Sequence, residues 1–175
     1  MKRFKKGIII VFVLCCVVNI ANAAQKIIYG HVEQITIMPD NFILPAKLDT
    51  GAKSSSINAQ DIKIFKKDGV EWVSFSTELR KGRKHKFEEK LLDYVKIKVR
   101  AGEQESDDTP SAIKRPVVQM KIKLANKEQL IEVNLADRSR FIYPFLLGRD
   151  AIIKFNGIVD PSVVDQQKLM KQCRD

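Results

Sequence analysis

The sequence has 175 residues, with 31 Lys and Arg against 21 Asp and Glu, 45% hydrophobic and 30% charged residues. That length fits one domain with at most a tail and excludes a two-lobed enzyme of several hundred residues, while the apolar fraction excludes wholesale disorder. Lys2, Arg3, Lys5 and Lys6 precede any acid, so residues 24–175 hold 27 bases and 21 acids, a net charge of +6 that is too mild to argue for nucleic acid as a partner.

The N-terminus has the three parts of an export signal. Met1–Lys6 is basic, Gly7–Ile20 is a run of mostly Ile, Val, Leu and Cys, and Ala21-Asn22-Ala23 supplies small residues at −3 and −1 for a signal peptidase. The run of 14 residues spans about 21 Å as a helix, less than the roughly 30 Å of a hydrocarbon core. The expectation is cleavage after Ala23, leaving 152 residues in the periplasm or secreted; an uncleaved inner-membrane anchor over residues 7–23 is the alternative. Cys15 and Cys16 lack the preceding Leu-small-small of a lipoprotein signal. Cleavage removes both and leaves Cys173 alone, so the mature core rests on burial without an internal disulfide.

Downstream, the hydrophobic period is close to two. Strands are predicted over Lys26–Thr36 and Phe42–Leu48, separated by a Pro39-Asp40-Asn41 turn. Ile62–Phe65 and Val70–Ser76 form a hairpin across Lys66-Lys67-Asp68-Gly69, because Asp-Gly accepts the positive φ such turns need. Tyr94–Val99 alternates, and Val117–Leu124 pairs with Leu130–Leu135 across Ala125-Asn126-Lys127. A short helix is expected after Gly148, a turn at Asp160-Pro161, and a short helix or frayed end over Val163–Asp175. Trp72 and Phe75 are assigned to the core or to a groove wall. Two biased segments interrupt the strands. Arg80–Lys86 carries five bases and His85 and is expected as a solvated loop, with binding of an anionic envelope polymer as its functional alternative. Gly102–Ala112 is acidic and is expected as an exposed loop over a site. The domain organisation expected is signal peptide 1–23, one domain over 24–165 and a tail over 166–175.

The chemistry is concentrated in two motifs 99 residues apart. In Ala46-Lys47-Leu48-Asp49-Thr50-Gly51-Ala52, an apolar strand ends on a carboxylate at a tight turn, where Thr50 can hydrogen-bond and Gly51 leaves room for another backbone. In Tyr143-Pro144-Phe145-Leu146-Leu147-Gly148-Arg149-Asp150, a second apolar strand ends on Gly-Arg-Asp. Together these resemble the retropepsin-like aspartic peptidases: apolar-apolar-Asp-Thr-Gly-Ala followed by apolar-apolar-Gly-Arg-Asp. More narrowly, Lys47–Ala52, Asp68–Phe75, Arg115-Pro116-Val117-Val118, Asp137-Arg138 and Tyr143–Arg149 are similar to the bacterial branch, which also carries an "ATP-dependent zinc protease" label. The resemblance runs from about Ile27 to Pro161.

The resemblance implies an all-β, closed-barrel acid-protease domain with a short C-terminal helix, one half of a two-fold homodimer, acting as an aspartic endopeptidase on peptides or proteins. One Asp-Thr-Gly per chain means that the second carboxylate comes from another copy. Asp49, Thr50 and Gly51 are the implied catalytic residues, and Ala52, Gly148 and Arg149 support them. One carboxylate ionised and one protonated would activate a water between the two subunits. No cofactor or metal is expected: His-Glu-x-x-His is absent, His31 and His85 lie in unrelated contexts, and Gly51-Ala52-Lys53-Ser54 lacks the upstream glycine of a phosphate loop. The retroviral pattern often has an Asp where Lys53 stands, paired with the Arg of the second motif, so Arg149 needs another partner. Arg100–Lys114 is the candidate flap, with the Arg80–Lys86 turn as its rival. Arg138 and Arg140 are assigned to surface ion pairs, with a substrate groove as the alternative. Two other readings are weighed beside the peptidase: a non-catalytic periplasmic binding or scaffold protein of the same fold, and a membrane-anchored accessory protein that binds anionic envelope polymers.

Overall fold

A computed structural model describes residues 25–79, 82–98 and 112–167. Its strands are β1 (Ile27–Met38), β2 (Phe42–Asp49), β3 (Ser55–Asn58), β4 (Gln60–Lys67), β5 (Val70–Leu79), β6 (Arg83–Lys98), β7 (Ala112–Leu124), β8 (Lys127–Ala136), β9 (Phe145–Gly148) and β10 (Gly157–Val164), with one short helix, α1 (Arg149–Lys154). Alternation decides what each strand buries. On β2, Phe42, Leu44, Ala46 and Leu48 point into the core, and Ile43, Pro45, Lys47 and Asp49 lie on the other face. On β7 the inward residues are Val118, Met120, Ile122 and Leu124.

The strands follow the order β10-β1-β2-β9-β3-β8-β7-β6-β5-β4. The far end of β1 also pairs with the far end of β7, Ile35 opposite Leu124 through Met38 opposite Lys121. That pairing closes β1, β2, β9, β3, β8 and β7 into a six-stranded barrel around Tyr29, Ile35, Leu44, Ile57, Phe145 and Phe155. Closure removes the open edges a flat sheet would leave. β6 belongs to two structures at once: its second half pairs with β7, and its first half carries β5 and β4 as a three-stranded arm. Val73, Phe75 and Phe87 are buried on the inner face of that arm.

The all-β barrel and the short helix after Gly148 match the sequence expectation. So does the β4–β5 turn, with Asp68 and Gly69 at φ 52° and 77°. Other expectations are corrected. Arg80–Lys86 is not simply a loop: Arg83–Lys86 begins β6, held opposite Leu79–Ser76 on β5, and Arg80 and Lys81 lie outside the described residues. Trp72 is on the outer face of β5, opposite to Val73 and Phe75, so it is not core. Asp160-Pro161 falls within β10, where Asp160 Oδ1 accepts hydrogen bonds from Ser162 N and Oγ and the register with β1 shifts. The leader 1–23, most of the acidic segment 102–111 and the tail from 168, Cys173 included, lie outside the described residues. No helix among the described residues is long and apolar enough to cross a membrane.

Candidate active site

Asp49 is the last residue of β2 and stands beside Gly148, the last residue of β9, in a parallel pair. Its Oδ1 accepts hydrogen bonds from Gly51 N at 3.0 Å and Ala52 N at 3.2 Å, an Asx-type turn that holds the carboxylate over its own loop. Oδ2 is left toward solvent, with Lys47 Nζ 3.9 Å away; the Asp49 side chain is 30% exposed. Thr50 and Gly51 are exposed.

The second motif packs against the first through backbone. Arg149 N donates to Ala52 O at 2.8 Å and Asp150 N to Lys53 O at 3.2 Å. Gly148 N donates to Ser55 Oγ at 3.1 Å. A Cβ on Gly148 would lie 2.5 Å from Ser54 O and 2.8 Å from Lys53 O, so this glycine is required for contact. Within the chain the close backbone approach is at Gly148; a Cβ on Gly51 would meet only Asp49 Oδ1, at 3.3 Å. Ala52, Gly148 and Arg149 thus meet around the Asp49 turn. The Arg149 side chain points outward and makes no ion pair among the described residues. The ion pair between the motifs is Lys53 with Asp150, at 2.6 Å, and Lys53 holds the Asp150 carboxyl below the usual carboxylate range.

Arg138 corrects the surface assignment. It is 8% exposed and has no carboxylate within ion-pair distance among the described residues. Its Nη1 donates to Ser56 Oγ at 3.1 Å and its Nε to Tyr143 O at 3.4 Å, its backbone N donates to Asn58 Oδ1, and its guanidinium lies 4.5 Å from the Phe141 ring centroid. Burial and the charge of Arg115 lower its pKa, and the Asp49 charge opposes them. Ser56, Leu146 and Lys47 are consecutive partners across β3, β9 and β2, so they share the face that carries Asp49. That face therefore holds Arg138 and Lys47 on either side of Leu146. Arg138 also ties down the 139–144 loop, whose Phe141 and Ile142 are 61% and 67% exposed.

Sequence reasoning also passed over Ser55, Ser56 and Asn134. Asn134 Nδ2 donates to Ser55 O, and its Oδ1 is buried without a donor. The signal was available: Ser54, Ser55 and Ser56, one residue past the first motif, lead into the buried strand β3. His31 binds Val163 O, and His85 pairs with Asp40 at 2.8 Å on the far end of β2. Among the described residues no group of three His, Cys, Asp or Glu could hold a metal ion.

A closed six-stranded barrel that brings an Asp-Thr-Gly turn onto a Gly-Arg-Asp turn is an acid-protease domain of the retropepsin-like class. The chain belongs to the RimB-like family, whose model, described as retropepsin-like aspartic endopeptidase RimB, matches residues 28–168. A solved Legionella pneumophila protein of unknown function (DUF785) is 44% identical, with a TM-score of 0.67 over 80% of this chain and 97% of its own. EIAV protease bound to the inhibitor HBY-793 aligns over 79% of this chain at 13% identity and a TM-score of 0.37. A protein of Shewanella pealeana named probable alpha-L-glutamate ligase is 36% identical over 122 residues, 68% of this chain, and one of Desulfotalea psychrophila with the same name is 35% identical over 123 residues. The chain spans about a quarter of the length of these curated relatives.

Proposed function

We propose that the protein is an exported aspartic endopeptidase that works as a two-fold dimer, with Asp49 of each subunit meeting at the axis. The observation that carries this reading is the Asp49 turn: one carboxylate oxygen is held by two backbone N–H groups, the other is open, and the sequence has a single Asp-Thr-Gly. The ionised Asp49 takes a proton from the shared water as its oxygen bonds to the peptide carbonyl carbon. The protonated Asp49 donates to the carbonyl oxygen. The carbon–nitrogen bond then breaks, with a proton passing to the leaving amine, and no covalent enzyme intermediate forms. Thr50 links the two turns across the axis, Gly51 leaves space for substrate backbone, and Ala52, Gly148 and Arg149 brace the turn from behind. The substrate class is acidic peptide. This rests on Lys47 and Arg138 sharing the Asp49 face and on the occurrence of related segments within proteins named for glutamate ligation.

One observation favours the non-catalytic reading: Lys47 sits 3.9 Å from Asp49, a local base that a scaffold protein would use to neutralise a turn residue. Cleavage decides between them. The 24–175 chain, carrying every described element, is incubated with a denatured protein mixture and with glutamate-rich peptides beside Asp49→Asn, and sedimentation reports the dimer. Cleavage by the wild type alone, with preference for the acidic peptides, supports the reading. Silence from a folded, dimeric wild type establishes the scaffold. Export is read separately, from the N-terminal residue of the protein recovered from cell fractions: Ala24 confirms removal of the leader.

A further inference from the structure

The arm formed by β4, β5 and β6 has an outer face that the catalytic reading leaves unused. Cross-strand register places Phe65, Trp72 and Lys90 in one row, Lys67 and Val70 in the next toward the β4–β5 turn, and Lys63, Ser74 and Glu88 on the other side. Val73, Phe75 and Phe87 occupy the opposite, buried face. Two ion pairs, Lys84 with Glu78 and Lys86 with Glu88, neutralise the far end of this face. Around Trp72 the balance differs. Lys67 and Lys90 lie 5.1 and 5.8 Å from its ring centroid, and none of Lys63, Lys67 and Lys90 is in ion-pair distance of a carboxylate among the described residues. Val70, opposite Lys67, is 44% exposed beside them.

We propose that this face docks on an anionic lipid bilayer, with Trp72 at the headgroup level and Lys63, Lys67 and Lys90 on the lipid phosphates. Trp combines an apolar ring with a polar N–H and settles at membrane interfaces, and lysines near an anionic surface add attraction that salt screens. Exposed Val70 and the Phe65 ring in the Trp72 row give the patch apolar contacts that a phosphate backbone would not use. A single-strand nucleic-acid platform would instead need successive aromatic rings along a groove. The basic and apolar N-terminal run, whether leader or anchor, brings the chain to a membrane surface. The anionic-surface reading of Arg80–Lys86 thereby moves along this face toward the β4–β5 turn, since Lys84 and Lys86 are already paired.

Trp72 is the sole tryptophan in the chain, so its fluorescence reports this face and nothing else. The 24–175 chain is used, so that the N-terminal run cannot bind lipid itself; the solved Legionella relative, aligned over 97% of its length, is a folded chain of comparable span. Added phosphatidylglycerol–phosphatidylethanolamine vesicles should shift the emission to the blue, brominated acyl chains should quench it, and rising salt should reverse both. K63E/K67E/K90E, with an unchanged far-UV circular dichroism spectrum, should bind at least about tenfold more weakly. The proposal is overturned by the absence of a shift, by an equal shift with neutral phosphatidylcholine vesicles, by full binding of the triple variant, or by a larger response to a single-stranded oligonucleotide at matched phosphate concentration.

Discussion

Lys53 Nζ lies 2.6 Å from Asp150 Oδ2, an ion pair that joins the turn after Asp49 to the first turn of α1 across 97 residues of chain. Beneath it, Arg149 N and Asp150 N bind the carbonyls of Ala52 and Lys53. The retroviral sequence pattern often has an acid at the Lys53 position for the arginine of the second motif. Here the polarity is reversed and moved along by one residue, which leaves Arg149 facing outward.

Reversing Lys53 tests the clasp. Lys53→Glu places a second carboxylate beside Asp150 and should lower the melting temperature, and Asp150→Lys in that background should recover most of the loss. Both side chains are more than half exposed, at 77% and 51%, so the effect should be modest and should shrink with added salt. Thermal melts of the three proteins at low and high salt measure it. A loss that persists in high salt would point to packing.

The two motif glycines should behave differently. Gly148→Ala drives a Cβ into Ser54 and Lys53 backbone, which cannot swing away, and should cost about 1–3 kcal/mol in denaturant unfolding. Gly51→Ala meets only the Asp49 carboxylate and should leave stability nearly unchanged while reducing peptide cleavage. Equal losses of stability at both sites would contradict the contact pattern.

Arg138→Met removes the donors to Ser56 Oγ and Tyr143 O and the cation over Phe141. The expected cost is about 1.5–3 kcal/mol, the range for hydrogen bonds made by a charged group. Protease sensitivity should rise within 139–144 before it rises elsewhere, because this side chain holds that loop to β3. Limited proteolysis with mass mapping gives the order of cuts.

How far the sequence reaches is clear from these residues. The Asp49 and Gly148 turns, the barrel class and the β4–β5 hairpin were legible because each has a local signature: a residue type at a strand end, a period of two, an Asp-Gly pair. Arg138 and Trp72 were not, because the side of the sheet a residue occupies depends on register, and register is set by partners far away in the chain. Arg138 looks like a surface base until β3 is placed against β9. The basic stretch at 83–86 looks like a loop until β5 supplies the opposite strand, where Ser76 and Glu78 accept alternate lysines as neighbours.

Glu33 should make stability depend on pH. It is 2% exposed, and its Oε1 accepts bonds from Gly30 N and Gln167 N. Burial pushes its pKa up, the backbone bonds oppose that, and the charge of Asp165 adds to the rise. The folded state therefore holds the proton longer than the unfolded state. Its contribution is whole below the ordinary carboxylate range and declines as pH climbs through the raised value. Glu33→Gln keeps the acceptor without the charge. The variant should melt higher than the wild type at neutral pH, and the gap should close near about pH 4. A constant gap across that range would exclude Glu33 as the cause.

The parallel pairs of the barrel have a consequence for how the chain comes to be folded at all. β1 waits for β10, β2 for β9 and β3 for β8, and a further seam joins Ile35 to Leu124. A chain still being made can form the β1–β2 hairpin and the β4–β5–β6 arm, but no closed core exists until Phe145–Gly148 has been synthesised. Such long-separation contacts form slowly. Folding is thus a late event in the life of the polypeptide, because the barrel's parallel seams each join an early segment to a late one.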